Sequence, residues 1–241
     1  MRIAVLSDVH ANLEALEAVL EDARQAGAEA YWCLGDIVGY GADPNPVVDR
    51  LSAEPVIAVA GNHDWAATGK MKLGYFNSMA AQAAEWTSEV LSEPSRRWLQ
   101  ALPLERVERG VRLVHASPSD PAAWLYVLSE SDAEGELSTF DEDLCLIGHS
   151  HFPGQYETDG ARVRYFRDPL LRLEANRRYL VNVGSVGQPR DGDPRATYVM
   201  YDWEKGALEH RRIPYDCEAA GRKILDAGLP PFLAERLLVG A

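Results

Sequence analysis

The sequence predicts a layered α/β fold, and three observations carry that prediction. Short apolar runs alternate with amphipathic helical stretches over the first third of the chain. Each run ends in a small polar cluster, which is where layered α/β folds gather their functional groups, beyond the carboxyl ends of the strands. Further along, helical periodicity gives way to short alternating strands and turn signals, so a βα-rich beginning is followed by a β-rich second half.

Taken in order, Arg2 to Ser7 read as a first strand, with Asp8-Val9-His10 in the loop that follows. Asn12 is placed to cap a helix whose apolar positions Leu13, Leu16, Val19 and Leu20 fall at helical spacing, with Glu14, Glu17 and Glu21 on the solvated face. Ala26-Gly27 closes it, and Ala30 to Leu34 form the next strand, ending at Gly35-Asp36. A short helix starts at Asp43-Pro44 and runs through Leu51, because proline suits a first helical turn. Pro55 to Ala60 read as a third buried strand, leading into Gly61-Asn62-His63-Asp64 on what should be a tight loop. Trp65 to Leu102 read as mostly helical, interrupted at Pro94. Val111–His115 and Leu144–His149 are strands, with an irregular or short-helical stretch, Ser117 to Phe140, between them. Asp159-Gly160 between two alternating runs is a hairpin signal. Strands at Arg178–Val183, Thr197–Trp203 and Ala207–Ile213 follow, then helices over 216–227 and 230–238. Trp32, Trp86, Trp98 and Tyr31 are expected in the core.

At 241 residues the chain can form one large domain or two small ones. No linker or composition break separates its halves, and candidate site residues come from both, so residues 1–241 read as a single domain. A net charge of −13 argues against broad electrostatic binding to nucleic acid or to an anionic membrane. No apolar run approaches a membrane span or a signal peptide. Three widely spaced cysteines, Cys33, Cys145 and Cys217, suit a reducing compartment, so a cytoplasmic location is expected.

Five of the six histidines, His10, His63, His115, His149 and His151, lie just beyond predicted strands, joined there by Asp8, Asp36 and Asn62. One strand-end histidine commonly does no more than satisfy a loop carbonyl, but five together with two carboxylates and a carboxamide form a pattern. Imidazole with carboxylate and carboxamide oxygen suits first-row divalent ions such as Mn, Fe, Ni and Zn. The potential ligands exceed what one ion needs, and two ions sharing a carboxylate account for the surplus. His210, beside Arg211 and Arg212, reads as a surface residue.

Asp8-x-His10, Gly35-Asp36, Gly61-Asn62-His63-Asp64, His115 and Gly148-His149-Ser150-His151 resemble, in order and approximate spacing, the motifs of the calcineurin-like metallophosphoesterases. Small prokaryotic phosphodiesterase and diadenosine tetraphosphatase-like members are the nearest in character. The resemblance implies a four-layer α-β-β-α sandwich, two mixed sheets face to face with helices outside. It also implies a phosphoric ester hydrolase with two divalent metal ions, Mn favoured. One ion would sit on Asp8, His10, Asp36 and His151; the other on Asp36, Asn62, His115 and His149. His63 would bind no metal and would serve the leaving-group oxygen, with Asp64 aiming its ring. Such chemistry is physically apt, because two cations offset the charge that makes a phosphate ester resist attack. Ala116 stands where many relatives place a glycine beside the fourth-motif histidine.

The glycine-rich stretch Asn182 to Arg190 resembles a C-terminal signature of small members of that family. Arg190 or Arg195 can grip a phosphate there; the competing reading pairs them with Asp191 and Asp193. Tyr40, in Gly39-Tyr40-Gly41, is either a platform for a nucleobase or a packing residue. The expected partner is a small phosphorylated substrate, a phosphodiester or phosphomonoester with nucleotides and dinucleoside polyphosphates among the candidates. A metal-binding scaffold for protein interactions and a protein phosphatase are the alternative readings; the first would show eroded ligands, the second longer insertions.

Overall fold

The computed structural model describes residues 1–241. Its elements follow the chain as β1 (Arg2–Leu6), α1 (Leu13–Gln25), β2 (Ala30–Cys33), α2 (Pro44–Ser52), β3 (Val56–Ala58) and α3 (Asn62–Ala67). Next come α4 (Ser78–Val90), α5 (Glu93–Gln100), β4 (Glu105–Glu108), β5 (Val111–Val114), α6 (Glu130–Leu137) and β6 (Leu144–Ile147). The remainder is β7 (Gly154–Thr158), β8 (Val163–Phe166), β9 (Leu170–Arg172), β10 (Arg178–Asn182), β11 (Ala196–Asp202), β12 (Ala207–Ile213), α7 (Cys217–Asp226) and α8 (Pro231–Glu235). No helix is long and apolar enough to cross a membrane.

The strands form two mixed six-stranded sheets, ordered β3-β2-β1-β11-β12-β9 and β4-β5-β6-β10-β7-β8. Side-chain alternation explains how they layer. In β1, Ile3 and Val5 join Trp32 of β2, Leu113 of β5, Leu146 of β6 and Val181 of β10 in a core between the sheets. Ala4 and Leu6 of the same strand point the other way, onto Leu16, Val19 and Leu20 of α1 and Val47 and Leu51 of α2. The second sheet repeats the pattern, with Cys145 and Ile147 of β6 turned onto Ala133 and Leu137 of α6. Two sheets face to face with helices outside is therefore the observed architecture. Each fully buried Leu or Val contributes ~1.5–3 kcal/mol.

Local chemistry sets the boundaries. Asn12 caps α1 by accepting from the Ala15 N–H at 3.1 Å, and proline occupies the first turn of α2. Tyr31 and Trp32 are buried, whereas Trp86 and Trp98 are half-buried at the edges of their clusters. Cys33 and Cys145 are fully buried, as expected of core fillers.

Three expectations need correction. The helical stretch after Trp65 is three helices: the interruption expected near Pro94 is present at 91–92, with Ser92 capping α5 and Pro94 in its first turn, and a further break, not expected, falls at 68–77. Asn62, His63 and Asp64 lie in the first turn of α3 and not on a loop. The strands β4 and β9 were not anticipated: Glu105–Glu108 carries charged, exposed side chains, and Leu170–Arg172 is only three residues long.

The parallel part of each sheet positions the site. Strands β1, β2 and β3 run parallel, as do β5, β6 and β10. The segments just beyond their carboxyl ends, loops together with the first turn of α3, carry every residue of the predicted constellation.

Candidate metal centre and its cavity

The loops are bound to one another before any side chain is considered. Asp8 N–H donates to Gly35 O at 3.0 Å, His10 N–H to Asp36 O at 2.9 Å, and Gly148 N–H to His115 O at 2.9 Å. Val186 and Gly187 N–H donate to Ser7 and Asp8 O, pinning the glycine-rich stretch against the first loop. Gly187 is required for closeness: a Cβ there would collide with the Val9 carbonyl oxygen. At Gly61 a Cβ would collide with Asp36 Oδ1. Five predicted ligands, Asp8, His10, Asp36, His149 and His151, have φ between 49° and 65°, the left-handed region that non-glycine residues avoid.

The structure brings all seven predicted metal ligands together, each buried. His10 Nε2 lies 3.1 Å from His151 Nε2, and Asp8 Oδ1 is 3.1 Å from that same His151 atom. On the other side, His115 Nε2 lies 3.1 Å from His149 Nδ1 and 3.3 Å from Asp36 Oδ2. Asp36 Oδ2 is also 3.8 Å from His10 Nε2, so one carboxylate borders both groups. Asp8, His10 and His151 form one set with metal-ligand spacing, and Asp36, His115 and His149 another.

Hydrogen bonding fixes which nitrogens face inward. His10, His115 and His151 each pair Nδ1 with a backbone carbonyl, of Val38 at 3.3 Å, Leu34 at 2.8 Å and Gln188 at 2.5 Å. A carbonyl accepts only, so those nitrogens carry the proton and the Nε2 lone pairs point into the centre. His149 is turned around: Nε2 donates to Trp124 O at 2.9 Å, leaving Nδ1 inward. Two inward oxygens, Asp8 Oδ1 and Asn62 Oδ1, are buried with no hydrogen-bond donor. Leaving a buried oxygen unpaired costs ~1–3 kcal/mol, more for a charged group. Converging lone pairs and orphaned oxygens are what a divalent cation with N and O ligands requires, so the donor set fits the metal.

Electrostatics follow the same division. Burial opposes ionisation of Asp8 and Asp36, yet the neighbouring imidazoles, His151 and His115 for Asp8 and His115 and His63 for Asp36, outweigh it and hold both carboxyls below their usual range. Burial likewise disfavours a charged His115, but Asp36 and Asp8 prevail and lift it to about 9. Burial, reinforced by His115, pushes His149 down to about 3. Burial also lowers His10 and His151.

His63 is held differently. Its backbone N–H donates to Asp36 Oδ1 at 2.8 Å, but its ring Nδ1 is buried without a partner. The ring is wedged among Tyr40, Phe76 and His10 at centroid distances of 4.3, 4.7 and 5.0 Å. Burial pushes it down to about 4. His63 also forms a cluster of metal-ligand spacing with His10 and Asp36, so distance alone does not set it apart from the ligands.

The expected aiming of His63 by Asp64 is corrected. Asp64 Oδ1 accepts from Ile37 and Val38 N–H at 3.0 and 3.1 Å, and Oδ2 from Gly61 N–H at 3.0 Å. Its carboxylate ties the loop after β2 to the start of α3 and makes no bond to the His63 ring. Burial and the nearby Asp36 raise it to about 7.

A cavity of about 650 Å3 opens over the centre, with His63, His149 and His151 at its floor. Tyr40 is buried and also lines this cavity, so packing and site roles coincide. Arg190 lines it too: one of its terminal N–H groups donates to Gln188 Oε1 at 2.9 Å, and its guanidinium lies 5.8 Å from the Tyr40 ring centre. Arg195 instead forks onto Asp193, so the pairing reading holds for Arg195 and fails for Arg190. His210 is not a free surface residue. It is half-buried on β12, with Nε2 donating to Asn182 O at 2.8 Å, and burial pushes it down to about 4.

Sequence reasoning missed the cavity's outer wall, built by Phe76, Trp124 and Tyr126. The readable signal was Trp124-Leu125-Tyr126, large apolar residues inside a stretch with no periodicity.

A family model described as the calcineurin-like phosphoesterase superfamily domain matches residues 1–206. A protein of Methanocaldococcus jannaschii described only as uncharacterized is 40% identical over 242 residues, 99% of this chain and 98% of its own. The phosphodiesterase YfcE of Escherichia coli K12 is 39% identical over 212 residues, 84% of this chain and 88% of that protein. On structural superposition the identity to YfcE is 23% with a TM-score of 0.46. A crystal structure of a metallophosphoesterase from Sphaerobacter thermophilus superposes with a TM-score of 0.89 at 38% identity, covering 100% of this chain and 99% of that one.

Proposed function

The chain belongs to the calcineurin-like phosphoesterase superfamily and is a metal-dependent phosphoric ester hydrolase, and from that premise we propose that it cleaves phosphodiesters or phosphomonoesters at a dinuclear centre. The observation that carries this reading is the inward convergence of four imidazole lone pairs and two orphaned oxygens on either side of Asp36. In this reading Asp8, His10, Asp36 and His151 hold one cation, and Asp36, Asn62, His115 and His149 the other, with Mn favoured. When bound, such cations supply Lewis acidity toward phosphoryl oxygens and lower the pKa of water.

The chain's own residues do the rest. Backbone carbonyls of Val38, Leu34, Gln188 and Trp124 keep the four ligand rings in one tautomer and one orientation. His63 has no such carbonyl anchor, and it stands at the cavity floor beside Asp36. An unanchored ring that stays neutral suits a group whose N–H hydrogen-bonds the departing oxygen rather than a ligand. Asp64 acts through the backbone, fixing the two loops that place Asp36 and His63. The substrate is a small phosphorylated molecule that fits the cavity, with nucleotides and dinucleoside polyphosphates as candidates. The ligand set is complete, which favours hydrolysis over a scaffold role.

The test is a screen of Mn-loaded protein against chromogenic monoesters and diesters, cyclic nucleotides and dinucleoside polyphosphates, with metal counted by elemental analysis. Two ions per chain and turnover of bis-p-nitrophenyl phosphate that vanishes on stripping are expected. Turnover that persists in verified metal-free protein would reject the mechanism, and turnover of nothing would promote the scaffold reading.

A further inference from the structure

We propose that the substrate carries, besides the phosphoryl group that reacts, a second anionic group gripped by Arg190 and a planar aromatic group that stacks against Tyr126. This inference rests on the hydrolase reading above and names the class of ester that the site takes.

The second anion is inferred from how the arginines are partnered. The chain carries 37 acidic residues against 24 basic ones. Around the glycine-rich stretch, Arg195 is neutralised by Asp193, and Arg167 and Arg212 both pair with Asp191. Arg190 is in the same stretch and pairs with no carboxylate. Its polar neighbours are neutral: it shares Gln188 Oε1, at 2.9 Å, with Arg236, at 3.0 Å, and it reaches the hydroxyls of Tyr40 and Tyr126, while Arg236 also donates through Nε to the Ala241 oxygen. Gln188 is buried, and its backbone oxygen is the one that fixes His151. Arg190 Nε is buried with no partner at all. Two guanidiniums converging on one amide oxygen repel each other, and an anion between Arg190 and the floor relieves that repulsion. Arg190 lines the same cavity as His63 and His151, so an anion it holds lies within the site. Arg236 is a positioning residue, acting on Arg190 through Gln188.

The aromatic group is inferred from the rings that line the same cavity as Arg190. Tyr126 lies almost flat on His149, at 4.1 Å and 19° between ring planes, yet half of it stays exposed. Trp124 holds a left-handed backbone, φ 55°, while its carbonyl orients His149. Tyr75, across the cavity, is 81% exposed. Large rings left open to water beside a ligand are a recognition surface, because a planar partner gains area and π-contact there. The cavity, about 650 Å3, is in the range of sites that enclose a whole organic ligand and exceeds what a lone phosphate fills.

Three non-hydrolysable competitors separate the contributions, each assayed against bis-p-nitrophenyl phosphate turnover by Mn-loaded protein and by calorimetry at fixed free Mn. They are inorganic phosphate, methylenediphosphonate and α,β-methylene adenosine diphosphate. Binding should tighten about tenfold from the first to the second and again from the second to the third. Arg190→Gln should remove the first step and leave phosphate binding unchanged. Tyr126→Ala should remove the second step, and Tyr126→Phe should restore it. Equal affinity for all three competitors overturns the inference, as does Arg190→Gln weakening phosphate and diphosphonate by the same factor. If the reporter ester is not hydrolysed and phosphate does not bind, the hydrolase reading itself has failed.

Discussion

The sheet built around β1 and β2 sends Asp8, Asp36 and Asn62 into the centre together with His10 and His63, whereas the sheet built around β5 and β6 sends only imidazoles, His115, His149 and His151. Negative charge therefore comes from one side and directed lone pairs from the other. Part of the anchoring runs crosswise. His115 is oriented by Leu34 O from the first sheet, and the His149 backbone N–H donates to Asp8 Oδ2 at 3.0 Å. These two bonds cross between the sheets, whereas the rings of His10, His149 and His151 are anchored from their own side, so the centre fastens the layers as well as holding the ligands.

The sharpest way to break that comparison is Asp36→Asn, which removes the carboxylate bordering both ligand groups. Metal content and turnover should fall together, turnover by at least ~100-fold, and Mn should no longer raise the thermal midpoint of stripped protein. Normal metal content in that variant would show that the two groups do not depend on Asp36. His63→Ala probes the one histidine from the first sheet that lacks a carbonyl anchor. Turnover should drop ~10²–10⁴-fold while elemental analysis finds metal near the parent level; loss of metal instead would make His63 a ligand. Gly61→Ala tests how tightly the first sheet's loops are set. The added methyl displaces Asp36, so metal affinity should weaken about tenfold or more with the overall fold intact by circular dichroism.

The smallest effect lies away from the centre, at His210. Its folded pKa, about 4, is below the ordinary imidazole value of 6.5, so the unfolded chain takes up the proton first. Its contribution to stability is therefore present above pH 6.5 and is lost as pH falls from about 6.5 toward 4. Urea midpoints measured across that window should decline with acid, and His210→Gln should flatten part of the decline. An identical slope in parent and variant would remove His210 from the account.

Much of this arrangement was legible because the relevant residues interrupt apolar runs. Asp8, Asp36, His115 and His149 each follow a strand whose hydrophobic alternation is plain, and parallel strands bring their ends to one edge. The role of Asp64 was not legible. Sequence adjacency suggested a partner for His63, whereas three backbone N–H groups from distant or preceding positions compete successfully for its oxygens. Partner choice by arginines was equally hidden, since Arg190 and Arg195 look alike in sequence, yet Arg195 reaches a carboxylate and Arg190 the amide oxygen of Gln188. The strand β4 escaped notice because an edge strand needs no apolar alternation.

The left-handed backbone at Asp8, His10, Asp36, His149 and His151 has a bearing on the history open to this chain. Glycine would occupy each of those positions without strain, and the residues present cost ~1–3 kcal/mol apiece in backbone terms. Selection for durability alone pulls all five toward glycine, and only the need to hold cations pulls back. A lineage released from that need would shed its ligands at these positions and grow sturdier in doing so, so thermal robustness and chemical competence trade against each other here residue by residue.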